Sequence, residues 1–152
     1  MLVLLTLRIV LVVRRASSFD SQRLWALNNL PNVGHTADAK VPLDLPPPQH
    51  PPEAFPDLAD VESSFLAAGG EFVVVEEDGH LLGMGGFKPV SSAAVEVLRV
   101  RVHPAVRRRG IGRRLMHELE RRAGDADYRE LTLDTATNQP DAVSFTTEPP
   151  WV

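Results

Sequence analysis

The spacing of apolar residues changes abruptly in the second half of the chain. Residues 95–102 read VEVLRVRV, and such a β-branched run with charges between the valines is typical of a strand. From Ile111 onward the apolar residues recur every four positions, at Leu115 and Leu119, which is typical of a helix. Five arginines and two glycines occupy the connection, 107–114. The sequence therefore predicts a strand, a short cationic connection and a helix in direct succession.

This connection has the composition of an anion-binding loop. The first amides of a helix lack internal acceptors, glycine lets an anion approach the backbone, and arginine adds paired donors. No lysine or hydroxyl follows the second glycine, as a Walker loop requires, and Leu115 stands where a dinucleotide fingerprint has its third glycine. The pattern that fits is [R/Q]-x-x-G-x-[G/A], with Arg107, Gly110 and Gly112.

Charge is distributed unevenly along the 152 residues. The formal net charge is -4, yet residues 99–122 hold nine of the fourteen arginines and only two acidic residues. An acidic protein with one basic segment predicts a local anionic ligand rather than a polyanion. No aromatic residue lies between these arginines to stack on bases, so we expect no nucleic acid partner; a nucleic-acid binder that uses this basic patch is the alternative function.

Cysteine and histidine usage limits the chemistry further. The chain has no cysteine, which excludes disulfides and thiolate catalysis and is compatible with the cytoplasm. Its five histidines show no paired ligand spacing, so no metal site is expected.

The N-terminal apolar run is about a dozen residues long and contains Arg8. A membrane-spanning helix needs roughly 20 residues, and a signal peptide carries its positive charge before the apolar run. We therefore expect residues 1–10 to be an apolar extension and 11–152 a single domain, with no membrane contact; a membrane or export element is the alternative. Eight of the thirteen prolines fall in 31–57, which predicts a long surface loop.

The remaining patterns give an α/β order with an antiparallel meander in its middle. Asp78-Gly79 joins two β-rich runs as a hairpin turn would, and broken alternation near 98–100 indicates a β-bulge. The other expected elements are a strand at 11–17, helices at 21–30 and 57–68, a strand at 129–135 and a short helix from Asn138.

Residues 97–123, VLRVRVHPAVRRRGIGRRLMHELERRA, resemble the acetyl-CoA-binding motif of the GNAT N-acetyltransferase superfamily. The preceding hairpin and the following LTLDTATNQPDAVSF agree, so that the resemblance covers roughly 11–145. It implies an α/β fold with a mixed, mostly antiparallel central sheet flanked by helices and splayed at the cofactor site. It also implies acetyl transfer from acetyl-CoA to a primary amine, with 31–57 on the acceptor side.

The resemblance also implies particular roles. The backbone of Val100, Arg101 and Val102 would pair with the pantetheine arm, and Asn138 would contact it. The pyrophosphate would be bound by Arg107, Arg108, Arg109, Gly110, Ile111, Gly112 and Arg113. Since an amine must be neutral to attack, a base is useful, and Glu96 is the candidate. The alternative for Glu96 is an ordinary surface or ion-paired residue.

The C-terminal part departs from the family pattern. Thr146 stands where the family often has a tyrosine acid, and a threonine hydroxyl is a poor acid; Tyr128 does not match that position. The family pattern continues into one or two more strands, so we expect the last strand or strands to be lacking. A truncated or frameshifted product, a catalytically weak acyl-CoA-binding remnant and a homodimer whose partner supplies the strand are the alternatives. The acceptor is not determined.

Overall fold

A computed structural model describes residues 10–30, 37–47 and 50–133, and five strands form one sheet in the order β1-β2-β3-β4-β5. The strands are β1 (Val12–Arg15), β2 (Glu71–Glu77), β3 (His80–Pro89), β4 (Ala94–Val102) and β5 (Glu130–Leu133). The first three pairings are antiparallel, whereas β4 and β5 are parallel. This part of the chain therefore has the mixed, mostly antiparallel sheet that the sequence predicts.

Two α-helices cover opposite faces of the sheet. Helix α2 (Ile111–Asp125) buries its apolar face against alternate residues of β2, β3 and β4, at the spacing the sequence predicts. Helix α1 (Ser21–Asn29) packs on the other face, together with the turns that follow the proline-rich segment. Because α1 and α2 lie on different faces, β4 has one face toward each helix.

The β2–β3 hairpin confirms the expectation from Asp78-Gly79. Both turn residues have positive φ, 51° and 79°, and Glu77 pairs with His80 across them. A two-residue turn in which both residues have positive φ matches the right-handed twist of the flanking strands.

A β-bulge interrupts β4, as the broken alternation predicts. Gly86 pairs with Leu98 and Met84 pairs with Arg101, so that β4 contains one extra residue between the two pairs. Arg99 lies in this bulge with a φ of 62°, which is uncommon for a residue with a side chain. Leu98 and Arg99 consequently both point toward the α1 face, where Leu98 packs against the core and Arg99 contacts Phe55.

The predicted helix over 57–68 is wrong. The segment forms a 3-10 turn, Pro56–Ala59, and then a single π-helical turn, Glu62–Leu66. Asp60 interrupts it, because its backbone is extended and its carboxylate accepts from the Ser63 N–H (3.2 Å) and hydroxyl (2.8 Å). Such local bonds compete with a continuous helix. The predicted helix at 21–30 and strand at 11–17 appear in slightly shorter form, as α1 and β1.

A buried carboxylate connects β1 to α1. Asp20 is only 2% exposed and accepts two hydrogen bonds from Arg14, at 2.7 and 2.8 Å, and one from Arg23 at 2.6 Å. Burial alone raises the pKa of Asp20, but the bonds from Arg14, the Ser17 N–H and Arg23 outweigh it and lower the pKa. The pairing fixes α1 on the sheet and so positions the face of β4 that α1 covers.

Candidate cofactor and acceptor site

The strand β4 is connected to α2 by a turn that a buried histidine holds in place. The His103 N–H donates to the Leu82 carbonyl at 2.8 Å, and its Nδ1 accepts from the Ala105 N–H at 3.1 Å. This caps the 3-10 turn Pro104–Val106. Burial lowers the pKa of His103, with Arg107 and His80 acting in the same direction against the carbonyl of Pro42. A neutral imidazole therefore supports the loop that follows.

The start of α2 has the conformation of a candidate anion site. Gly110 is the N-cap with a φ of 77°, and its carbonyl accepts from the Arg114 N–H at 3.0 Å, which closes the first turn. The amides of Ile111, Gly112 and Arg113 have no acceptor inside the helix. The first turn contains no acidic residue. Because the dipole makes this end positive, arginines here are favourable only with an anion nearby.

The arginines of this loop do not all face the same way. Arg109 donates to Glu77 at 2.9 Å, which ties the loop to the β2–β3 turn. Arg108 has a φ of 70° and is exposed, as is Arg113, while Arg107 is half-buried. The structure thus brings the predicted residues 107–113 together at one helix start. The role of Glu77 was missed, because nothing in the sequence relates it to Arg109.

Several other arginines of the basic segment pair with acidic residues. Arg122 donates to Glu118, four residues earlier on α2, at 2.8 Å and also reaches the buried Glu71 at 3.3 Å. Arg121 pairs with Glu118 and Asp125 on the helix surface. Arg121 and Arg122 are therefore compensated by carboxylates, and the segment does not form one continuous cationic surface.

The proposed general base lies on the α1 face of β4. Glu96 is half-buried and in register with Lys88 of β3 on one side and Thr132 of β5 on the other. The Lys88 ammonium donates to Asp57 at 2.8 Å. Glu96 thus lies on the same face as the bulge, three residues before Arg99.

Asp57 connects the end of the proline-rich segment to this face. Its carboxylate accepts from Arg99 Nε at 3.0 Å and Nη2 at 3.1 Å, and the Arg99 guanidinium lies 4.1 Å from the centre of the Phe55 ring. Burial raises the pKa of Asp57, but Arg99 and Lys88 more than compensate, so it lies below its ordinary value. Sequence reasoning missed Asp57, since no spacing rule links it to β4.

One edge of β4 pairs with β3, and the other edge pairs with β5 over only part of its length. Arg101 and Val102 pair with Met84 and Gly83 of β3. The described part of β5 ends at Leu133, opposite Val97. Residues 98–102 thus have no partner on the β5 side within the ranges given above. Asn138 and Thr146, and the predicted helix from Asn138, lie outside the described residues.

None of the helices in the described ranges is both long and apolar enough to cross a bilayer. No three histidine, aspartate or glutamate side chains in those ranges are placed to share a metal ion.

A mixed five-strand sheet with an arginine- and glycine-rich loop opening a helix defines an α/β protein with a candidate anion site. The acetyltransferase (GNAT) family matches residues 39–148, more than half of the chain. The protein belongs to the GNAT acetyltransferase family.

Curated relatives are similar over part of their length. Human N-acetyltransferase 8 is 32% identical over 95 residues, covering 59% of this chain and 42% of that protein. Rat N-acetyltransferase family 8 member 2 is 31% identical over 94 residues, with the same coverage. The chain thus spans about two fifths of the length of the relatives it matches.

Solved structures share the fold at low identity. A GNAT acetyltransferase from Staphylococcus aureus superposes with a TM-score of 0.66 at 15% identity, over 83% of this chain and 74% of that one. The putative acetyltransferase yncA from Salmonella typhimurium, solved with acetyl-CoA, gives 0.60 at 20% identity, over 81% and 68%. At such identities the comparison bears on the fold alone.

Proposed function

We propose that the protein is an acyl-CoA-dependent N-acetyltransferase that transfers the acetyl group of acetyl-CoA to a primary amine. Family membership supports the reaction class. The single observation that carries the proposal is the left-handed Gly110 that opens α2 directly after β4 and the loop arginines. Acetyl-CoA would supply an activated acyl group, whose carbonyl carbon the neutral amine attacks.

The residues at the start of α2 suit a pyrophosphate. The amides of Ile111, Gly112 and Arg113 would donate to its oxygens, with the arginines at 107, 108 and 113 neutralising its charge. Arg109 would take part after exchanging Glu77 for the phosphate. The donors are preorganised, because these amides already belong to the first turn of α2.

The backbone of β4 suits an extended amide-containing arm. Carbonyl and N–H groups of Val100, Arg101 and Val102 on the β5 side would pair with pantetheine, as a neighbouring strand would. We propose that β4 and β5 splay there, that Asn138 contacts the arm, and that the protein forms a homodimer whose partner contributes a strand to the sheet. A structure with coenzyme A and a measurement of molecular mass in solution test these points.

The proton of the amine would be removed on the α1 face of the sheet. Glu96 is the proposed base that takes a proton from the amine, directly or through a water. Thr146 stands at the position of the family's tyrosine acid, which would protonate the departing thiolate, and its hydroxyl is a weak donor. We keep residues 11–152 as one proposed domain, residues 31–57 as its acceptor side, and the cytoplasm as its location.

The test measures binding and turnover separately. Acetyl-CoA should raise the melting temperature by a few degrees, because a ligand selective for the folded state stabilises it. Release of coenzyme A in the presence of amines can be followed with a thiol reagent, since the chain has no cysteine of its own.

Gly112→Glu should abolish the shift in melting temperature, because it places a carboxylate among the pyrophosphate donors. Gly124→Glu is the matched control at the other end of α2, where no atom lies within 4 Å of the added Cβ. An equal shift in wild type and Gly112→Glu would refute the pyrophosphate site.

A further inference from the structure

Two cationic side chains near the bulge of β4 share one carboxylate, and a third lies beyond the bulge on the same strand. Asp57 binds Arg99 through both oxygens and also accepts from Lys88. Asp57 is largely buried, with 11% of its side chain exposed, so this pairing is shielded from solvent. The third cation of the group is Arg101.

The side chain of Arg101 lies on the same face as Asp57. Val100 and Val102, its neighbours in β4, pack against the core beneath α2. Because successive strand residues point to opposite faces, Arg101 points toward the α1 side. It lies beyond the bulge, so Glu96 and Arg101 are on one face with Leu98 and Arg99 between them.

Arg101 is partly buried, and no carboxylate of the described residues compensates its charge. Throughout the described ranges, no aspartate or glutamate lies within ion-pair distance of its guanidinium. Burial lowers the pKa of Arg101, and the cations Arg107 and Arg99 lower it further. A half-buried cation among cations costs free energy in the unliganded protein. Such a cost is retained where an anionic ligand offsets it.

We propose that Arg101 binds a carboxylate of the acceptor, so that the enzyme acetylates primary amines that carry a carboxylate. This rests on the proposed function. We assign the carboxylate to the acceptor rather than to the cofactor because Arg101 faces the α1 side. Helix α2 and its N-terminal amides pack on the opposite face of the sheet. Glu96 then receives the amine and Arg101 the carboxylate of one molecule, on either side of the bulge.

The experiment compares ω-amino acids, from glycine to 6-aminohexanoate, with their neutral amides as acceptors. The series varies the distance between amine and carboxylate. The best acceptor shows which distance fits between Glu96 and Arg101. Wild type should show a lower KM for at least one amino acid than for its amide. Arg101→Gln should raise that KM about ten- to hundredfold, as expected for loss of a charge-assisted hydrogen bond, and leave the KM of the amide unchanged.

Arg129→Gln is the matched control. Arg129 is exposed and its backbone N–H donates to Ala93, at the far end of β4 from Arg101, so its loss should change neither KM. Equal KM values for amino acids and amides in wild type would overturn the proposal. So would an Arg101→Gln variant whose KM rises for acetyl-CoA, because Arg101 would then serve the cofactor.

A second readout does not require turnover. With coenzyme A present, calorimetry should detect binding of the preferred amino acid to wild type. The dissociation constant for Arg101→Gln should be higher by the same factor as its KM. Arg101→Met should melt at a higher temperature than wild type, because it removes an uncompensated charge. No binding of any amino acid in the series, or a variant that melts lower, would overturn the proposal. If coenzyme A binds while amino acids do not, the cofactor site stands and the carboxylate site fails.

Discussion

The carboxylate of Asp57 holds the guanidinium of Arg99 through two hydrogen bonds of 3.0 and 3.1 Å. Arg99 is the bulged residue of β4, with a φ of 62° that an isolated arginine would avoid. The pairing joins the end of the proline-rich segment to the strand proposed to bind the cofactor. Asp57 therefore stabilises the bulge as well as the segment.

Asp57→Asn should destabilise the protein by about 1–3 kcal/mol, because Arg99 and Lys88 lose their shared carboxylate in a poorly solvated place. Urea unfolding measures this change. Asp125→Asn, which removes an exposed partner of Arg121, should cost less than about 0.5 kcal/mol. Equal losses in the two variants would mean that Asp57 contributes only as a surface charge does.

Two glycine replacements should have opposite signs. A Cβ added at Gly86 would lie 2.5 Å from the Glu71 carbonyl and 2.6 Å from the Phe72 ring. A Cβ added at Gly124 would have no atom within 4 Å. Gly86→Ala should therefore cost about 1–3 kcal/mol through overpacking. Gly124→Ala, inside α2, should stabilise by about 0.5–1 kcal/mol through backbone entropy. Thermal or urea unfolding checks both, and a neutral Gly86→Ala would contradict the close packing of β2 on β3.

His103 should make stability depend on pH. Its pKa in the folded protein is below the ordinary 6.5, so the unfolded chain takes up a proton first. The contribution is present above pH 6.5 and is lost as the pH falls through the folded pKa. His103→Asn, which keeps an acceptor for the Ala105 N–H, should show a smaller loss of stability between pH 7 and pH 5.

His117→Asn is the control for the pH experiment, since His117 is exposed on α2. It should retain the full loss seen in wild type. Unfolding free energies at the two pH values give the comparison. A His103→Asn variant that loses as much stability as wild type would show that another group titrates.

Local patterns predicted much of this protein. The Asp78-Gly79 turn, the bulge near Arg99 and the start of α2 at Ile111 all follow from residues within a few positions of one another. Backbone conformation is decided at that range, because turns, strand alternation and helical spacing depend on near neighbours. The arginine and glycine pattern at 107–112 indicated an anion site for the same reason.

The 57–68 segment shows where this reasoning fails. Its apolar spacing suits a helix, yet Asp60 binds Ser63 and breaks the segment into two turns that both reach the sheet. The hydrogen bond between Asp60 and Ser63 is local. The two turns are more stable than one helix because they bury both Leu58 and Phe65 in the same core.

The sequence by itself determined the fold class, the hairpin, the bulge and the loop that opens α2. Only the tertiary structure decided the charge partners: Asp57 meets Arg99 across 42 positions, and Arg109 meets Glu77 across 32. It also decided that Arg101 faces the α1 side beside other cations. The physical reason is that a side chain's partner depends on which distant segments pack together, which no short-range periodicity encodes.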